Sequence, residues 1–288
     1  MTQDLHIITC SYGPDFERCQ RLCESMDRFV PEHIPHTLVV PRRDIEVFAS
    51  LVGPRRTIRT VESVLPRGFR QLPGFRKWWL DEQNWPVRGW ILQQLTKMSA
   101  DKVTDAENLL FADSDIQFIR YFDESAVLQN GELRLHRIPN AKQSGVHLVW
   151  HRRAGALLGT PRRYSGADYV GQLITWRRRH LVGLKARIEE VTGRPWHRAV
   201  GRSLRVSEYI IYGVYVDHLK QHGDYGHYQT SDDLCHCCWF NEDAEALEQG
   251  GNHIGTGAIA LLLQSNLGLD SSQESKIVDL ALKQARTL

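Results

Sequence analysis

Apolar positions alternate along the first hundred residues between two rhythms. Leu5 to Thr9 alternates with period two, and Ser11-Tyr12-Gly13-Pro14 then breaks the strand with a turn. Asp15 to Phe29 switches to helical spacing, with Phe16, Cys19, Leu22, Cys23 and Met26 on one side. Thr37 to Val40 predicts a second strand stopped by Pro41, Asp44 to Leu51 a short helix, and Thr57 to Val61 a third strand. The run Asn108 to Ala112 has the near-continuous apolar character of a strand buried on both faces. Strand and helix taking turns in this way predict an α/β chain whose mostly parallel sheet is flanked by crossover helices.

Further along, Gly89 to Ala100 predicts a helix with Ile91, Leu95 and Met98 as its apolar stripe and Trp90, Gln93 and Lys97 on the opposite face. Leu133 to Ile138 and Val146 to Trp150 read as strands. Asp168 to Val191 reads as mainly helical, with Leu173, Leu181, Leu184, Ile188 and Val191 inward. Ser207 is a plausible N-cap for a helix reaching His218, and Glu274 to Arg286 is amphipathic around Ile277, Leu280 and Ala281. With no repeat, linker or low-complexity tract, one continuous domain over residues 1–288 is the simplest organisation, residues 1–119 and 120–288 forming its two halves.

Composition changes this picture little. The 288 residues are 42% hydrophobic and 24% charged, an ordinary globular balance, and a net charge of +2 gives no general case for nucleic acid. The basic residues are clumped (Arg42-Arg43, Arg55-Arg56, Arg152-Arg153, Arg162-Arg163, Arg177-Arg178-Arg179), which points to solvated faces, some of them meeting phosphates. No apolar run approaches a membrane span, and the first residues lack the regions of a secretory signal. Six cysteines without disulfide-type spacing point to reduced thiols in a cytoplasm. The ligands in Cys235-His236-Cys237-Cys238 are too close in sequence to share one tetrahedral zinc easily. No glycine fingerprint of a dinucleotide-binding turn is present, which argues against a nicotinamide cofactor. Residues 66 to 90 hold Phe69, Phe75, Trp78, Trp79 and Trp85 among Arg70, Arg76 and Lys77; such a stretch either covers a core edge or forms a working loop, here a surface for the inner face of a membrane.

The chemistry concentrates at Asp113-Ser114-Asp115, just past the apolar run. Ligands of open α/β sheets bind beyond the carboxyl ends of the strands. Two carboxylates one residue apart suit a hard divalent cation, Mn²⁺ or Mg²⁺, which takes oxygen ligands together with substrate phosphates. Lys97, closing the preceding helix, could reach a phosphate while Gln93 or Gln94 bonds a base, ribose or sugar.

These residues in this order (a strand ending Thr9-Cys10-Ser11-Tyr12, a Gly89-Trp90-x-x-Gln93-Gln94-x-x-Lys97 helix, then Leu110-Phe111-Ala112-Asp113-Ser114-Asp115) resemble the GT-A-fold glycosyltransferases that use nucleotide-diphosphate sugars. The likeness is closest to a bacterial group of small transferases of polysaccharide gene clusters. It is clearest over residues 5 to 119 and continues through Ser207-Glu208-Tyr209 and Tyr212-Gly213. The resemblance implies a GT-A-like, Rossmann-like sheet, a nucleotide-sugar-binding half over 1–119 and an acceptor-binding half over 120–288. It implies a UDP- or GDP-sugar donor held by Thr9, Ser11 and Tyr12, with Arg42 and Asp44 at the base or ribose. Asp115 is then the direct metal ligand, with Asp113 and Ser114 beside it, and a C-terminal histidine, His236 or His253, is the third ligand. Glu208 would be the general base of an inverting transfer, Asp168 its competitor or a partner of acceptor hydroxyls. The acceptor implied is a glycan or lipid-linked intermediate.

Two other classes compete. A haloacid-dehalogenase-type phosphatase also uses Asp-x-Asp, but its Thr or Val two residues on is Gln117 here, and its motif belongs to the first strand. An inactive GT-A-like sugar- or nucleotide-binding protein is the other; the presence of both acids, Lys97 and a candidate base weighs against it.

Overall fold

The computed structural model describes residues 4–75, 77–219, 225–250 and 253–287. Its centre is a five-stranded sheet in the spatial order Ile174–Arg177, Asn108–Phe111, Leu5–Cys10, His36–Val40, Arg56–Thr60. The last four of these run parallel, and the edge strand Ile174–Arg177 runs antiparallel to Asn108–Phe111. The sheet is thus mostly parallel and flanked by helices, as the strand–helix rhythm implied.

Both faces of the sheet are covered, which is why its inner strands read as apolar throughout. Ile8, Cys10, Leu109 and Phe111 enter one core, beneath the helices Gly89–Lys97, Arg178–Thr192 and Glu208–Leu219. Leu5, Ile7, Leu110 and Ala112 enter the other, with Leu22 and Met26 of the helix Phe16–Phe29. The amino-terminal edge is tied by a buried polar network. Arg56 Nε donates to His36 Nδ1 (3.0 Å), while its Nη2 binds the Cys23 carbonyl (3.1 Å) and Asp27 (2.7 Å). Burial and the Arg56 charge hold His36 neutral, so its Nε2–H donates to Thr9 Oγ1 at 3.0 Å.

Two predicted elements are corrected. Val146 to Trp150 is the first part of a helix, Gly145–Leu158, closed by Gly159 at φ 70°. A five-residue apolar run cannot distinguish strand from helix by itself. Asp168 to Ile174 is not helical: Ala167–Asp168 pairs with Ile138–Pro139, Leu173 takes a left-handed φ of 51°, and Ile174–Arg177 is the edge strand. The helix starts at Arg178. The arginine clump there is also less solvated than expected, because Arg177 is buried and binds the carbonyls of Gly226 (2.7 Å) and Gly131 (2.6 Å) and Asn108 Oδ1 (3.1 Å).

Residues 66 to 90 contain a small antiparallel meander, Arg70–Gln71, Trp78–Leu80 and Pro86–Arg88. It sends Phe69 and Trp79 into the core and leaves Phe75 and Trp85 exposed, with Arg202 over the Trp85 ring at 5.2 Å. The membrane-facing surface read from this stretch therefore shrinks to part of its aromatics, and Arg76 lies outside the described residues. Among the described residues no helix is long and apolar enough to cross a membrane. In Cys235–Cys238, alternation along the strand sends Cys235 and Cys237 to one core and Cys238 to another.

The helix Glu208–Leu219 is clamped to the edge strand by aromatics. Tyr212 stacks on Trp176 (4.8 Å, 14°) and its hydroxyl accepts from Arg177 N–H at 2.8 Å. On the same helix Gly213 lets the Tyr169 ring approach; a Cβ there would sit 2.1 Å from Tyr169 Cγ. Tyr169 cannot swing aside freely, since its hydroxyl donates to Asp217 Oδ2 at 2.7 Å. Alanine favours a helix over glycine by about 1 kcal/mol, but overpacking costs about 1–3 kcal/mol. Gly213→Ala is therefore expected to lower the unfolding free energy in urea, whereas Gly53→Ala, with nothing within 4 Å, should stay within about 0.5 kcal/mol of the parent.

Candidate functional site

The sheet order places a topological switch point beside the first strand: the chain builds outward to Arg56–Thr60, then returns to the other side of Leu5–Cys10 as Asn108–Phe111. The crevice past the carboxyl ends of those two neighbours is where such sheets bind ligands. Ser11-Tyr12 leaves one strand there and Asp113-Ser114-Asp115 leaves the other. A cavity of about 320 Å³ opens at this edge, between Ser11, Tyr12 and Arg43 on one side and Lys77, Arg88, Trp90 and Gln93 on the other, with Ser265 completing it.

Lys97 is the centre of a polar cluster that adjoins the cavity lining at Cys10. Its side chain is buried, and Nζ lies 2.9 Å from Asp113 Oδ1 and 3.5 Å from Glu208 Oε1. It also donates to Tyr209 Oη at 2.6 Å and sits 4.7 Å from the centre of that ring. Burial alone would depress the Lys97 pKa, yet Asp113, Tyr209 and Glu208 together hold it well above the usual lysine value. Glu208 is raised by burial against the opposing pull of Lys97, and burial pushes the neighbouring Cys10 thiol up to about 12, which rules out a thiolate there near neutral pH. Gln94 braces the cluster: its Oε1 accepts from Glu208 N–H at 3.1 Å. Gln94 Nε2 and Ser11 Oγ are buried without a hydrogen-bond partner among the described residues. Orphaned donors of this kind are costly unless a ligand or water satisfies them.

Asp115 faces the adjoining cleft with Ser114, Gln117, Arg18, Arg21 and Glu274. Burial, then the charge of Asp113, raises its carboxyl to about 7. Asp113 and Asp115 are thus close enough for the charge of one to disfavour ionisation of the other.

The remaining expected residues are distributed as follows. Gln93 lines the cavity with Ser11 and Tyr12. Thr9 is fully buried against His36 and lies outside the lining, and Arg42 is exposed with only its backbone engaged, its N–H donating to Glu62 at 2.9 Å; Arg43 takes its place at the cavity. Asp44 is a brace: Oδ2 accepts from Gly13 N–H at 2.9 Å and holds the turn after the first strand. Asp168 is brought not to Lys97 but to His147 Nδ1, at 3.0 Å. His236 stands on a strand separated from Ile116–Phe118 by Ala260–Leu263, and its charged neighbours are Asp243 and Asp233. His253 lies near the start of the segment leading to Ile254 and the C-terminal core. Among the described residues no three His, Cys, Asp or Glu side chains are grouped to hold a metal.

The profile of a family of unknown function, DUF6492, matches residues 5–282. The chain belongs to the DUF6492 family. A comparison with curated proteins finds no match. In this DUF6492 member the match spans both the Asp113–Asp115 turn and Glu208, so the whole cluster lies within the family's extent.

Sequence reasoning missed Lys77, Arg88 and Arg43 as cavity cations and Tyr209 as the partner of Lys97. Arg43 and Tyr209 adjoin residues that were singled out. Lys77 and Arg88 reach the cavity only because the meander folds back, for which the sequence carries no short-range signal.

Raising an acid's folded pKa makes the native state bind more protons than the unfolded one, so stability falls as pH climbs from about 4, the unfolded value, through about 7. In chelator-treated protein Asp115→Asn should remove this loss and gain about 1 kcal/mol or more over the parent at pH 8, with little difference at pH 4. Urea unfolding at the two pH values measures it; equal behaviour at pH 8 would show that Asp115 ionises without penalty.

Proposed function

We propose that this protein is a metal-dependent glycosyltransferase of GT-A type, moving a sugar from a nucleotide-diphosphate donor, UDP- or GDP-linked, to a hydroxyl of a glycan or glycolipid acceptor. The observation that carries the reading is the convergence of Lys97, Asp113 and Glu208 from three separate elements, beside Asp115, at the switch point of the sheet.

Breaking an anomeric bond to a nucleoside diphosphate leaves growing negative charge on the departing phosphate oxygens, and the sugar acquires oxocarbenium character. Lys97, fixed by three partners, offers a preorganised positive charge at that place. Lys77, Arg88 and Arg43 line the neighbouring cavity and suit the pyrophosphate, and Tyr12 and Trp90 offer aromatic faces to a base or sugar. Asp115, with Asp113, would hold Mn²⁺ or Mg²⁺, which when bound adds further neutralising charge. Glu208 is assigned the acceptor proton in an inverting reaction; burial raises its pKa against the opposing pull of Lys97, which favours a carboxylate that accepts a proton. Asp168, held by His147, is assigned to the acceptor side instead.

A thermal-shift screen of UDP- and GDP-sugars with and without Mn²⁺ should single out one donor, because binding to the native state raises its apparent stability. Asp115→Ala should abolish the Mn²⁺-dependent part of that shift. Glu208→Gln should keep the shift while transfer falls by about 10²-fold or more. A Mn²⁺-independent shift in the parent, or full transfer by Glu208→Gln, would contradict these assignments.

A further inference from the structure

A continuous aromatic wall leads away from the cavity. Trp90 lines the cavity and is 42% exposed. Its ring lies 6.1 Å from that of Trp150, tilted by 35°, and Trp150 lies 4.6 Å from the ring of His147. His147 Nδ1 then meets Asp168 Oδ1 at 3.0 Å. Trp90 belongs to Gly89–Lys97, whereas Trp150 and His147 belong to the first turns of Gly145–Leu158, so two helices build the wall together.

Trp150 packs against the core on one side, and two features set the wall apart from ordinary core packing. The turns that carry it are incompletely covered: Val146 is 48% exposed, and His147, Leu148, Val149 and Trp150 are all only half-buried. Second, Asp168 is 2% exposed and ends the aromatic row with a carboxylate–imidazole pair, a polar group at the far end of an apolar surface. Binding sites for small molecules combine these parts: apolar faces with a few fixed polar groups that orient the ligand.

The geometry points to a saccharide subsite on this wall, in which the CH face of a pyranose ring lies against Trp150 and Trp90 while a hydroxyl meets the partly exposed His147, which Asp168 holds in place. A sugar ring has the matching chemistry, with one face of C–H bonds and an equator of hydroxyls. The wall begins at the cavity rim. Trp90 precedes Lys97 by seven residues on one helix, two turns or about 10 Å along its axis, so the wall starts about that far from the proposed reacting centre. The inference rests on the transferase reading in naming this ring as part of the acceptor; the exposed Val146 beyond it could meet an alkyl chain if that acceptor is lipid-linked.

Saturation-transfer NMR on the intact protein tests it, with methyl and octyl glycosides of glucose, galactose, mannose and N-acetylglucosamine as probes and UDP or GDP with Mn²⁺ present. Ring C–H protons of at least one glycoside should be saturated in the parent. The affinity should weaken about tenfold or more in Trp150→Ala, and likewise in His147→Ala, which removes a half-exposed side chain and guards against a folding defect in the first variant. Tighter binding of the octyl form would assign the source to a glycolipid; equal binding would assign it to a soluble glycan. No signal from any glycoside in the parent, or unchanged affinity in both folded variants, overturns the inference. The nucleotide thermal shift of the parent separates the two readings. A nucleotide shift without glycoside signal removes the wall alone. A glycoside signal lost in the variants, without any nucleotide shift, keeps a saccharide site and removes the transferase.

Discussion

A single buried ammonium organises the carboxyl edge of the sheet. Lys97 has been taken out of water at a substantial desolvation cost, and such a charge is tolerated only when opposite charges and hydrogen-bond acceptors surround it. Here Asp113 arrives from the strand Asn108–Phe111, Glu208 and Tyr209 arrive from the start of a helix more than a hundred residues away, and Lys97 closes the helix between. Each partner fixes the register of the element that carries it. Removing Lys97 would leave Asp113 and Glu208 as neighbouring like charges, so the same contacts that unite the two halves of the chain hold the crevice in one geometry.

The electrostatics divide the crevice into two parts. At Lys97 one ammonium meets two carboxylates, Asp113 and Glu208, and is locked on. Asp115 is placed differently: burial and Asp113 disfavour the carboxylate, and Arg18 and Arg21 nearby are already engaged by Glu274 of the C-terminal helix. An imbalance of this kind, set beside a cavity lined by Arg43, Lys77 and Arg88, fits a site completed by a cation and a polyanion together better than by either alone. That combination is what a nucleotide-diphosphate donor supplies.

Much of this was legible from the chain. Period-two alternation and the run at Asn108 fixed the parallel strands, because strands buried on both faces leave an unmistakable apolar signature. Asp113, Asp115, Lys97 and Glu208 were singled out, three of them by residue type and position and Glu208 through resemblance. What escaped was set by tertiary context. Val146 to Trp150 looked like a strand because its apolar residues are consecutive; they are consecutive because the turns they form are covered on one side only by the protein. Ile174–Arg177 was hidden under a run of arginines whose first member is buried by carbonyls contributed from distant loops. Thr9 and Arg42 were placed at the nucleotide by analogy, but one neighbour in each case decides otherwise: His36 captures the Thr9 hydroxyl, and it is Arg43 that lines the cavity.

The account turns on whether the paired acids at the switch point receive a cation together with a diphosphate. Anomalous diffraction from crystals grown with Mn²⁺ and UDP or GDP gives the most direct answer. The prediction is one manganese peak in contact with Asp115, with the diphosphate between it and Lys97. Nucleotide bound with no manganese at Asp113 or Asp115, or manganese bound only elsewhere on the protein, would contradict it.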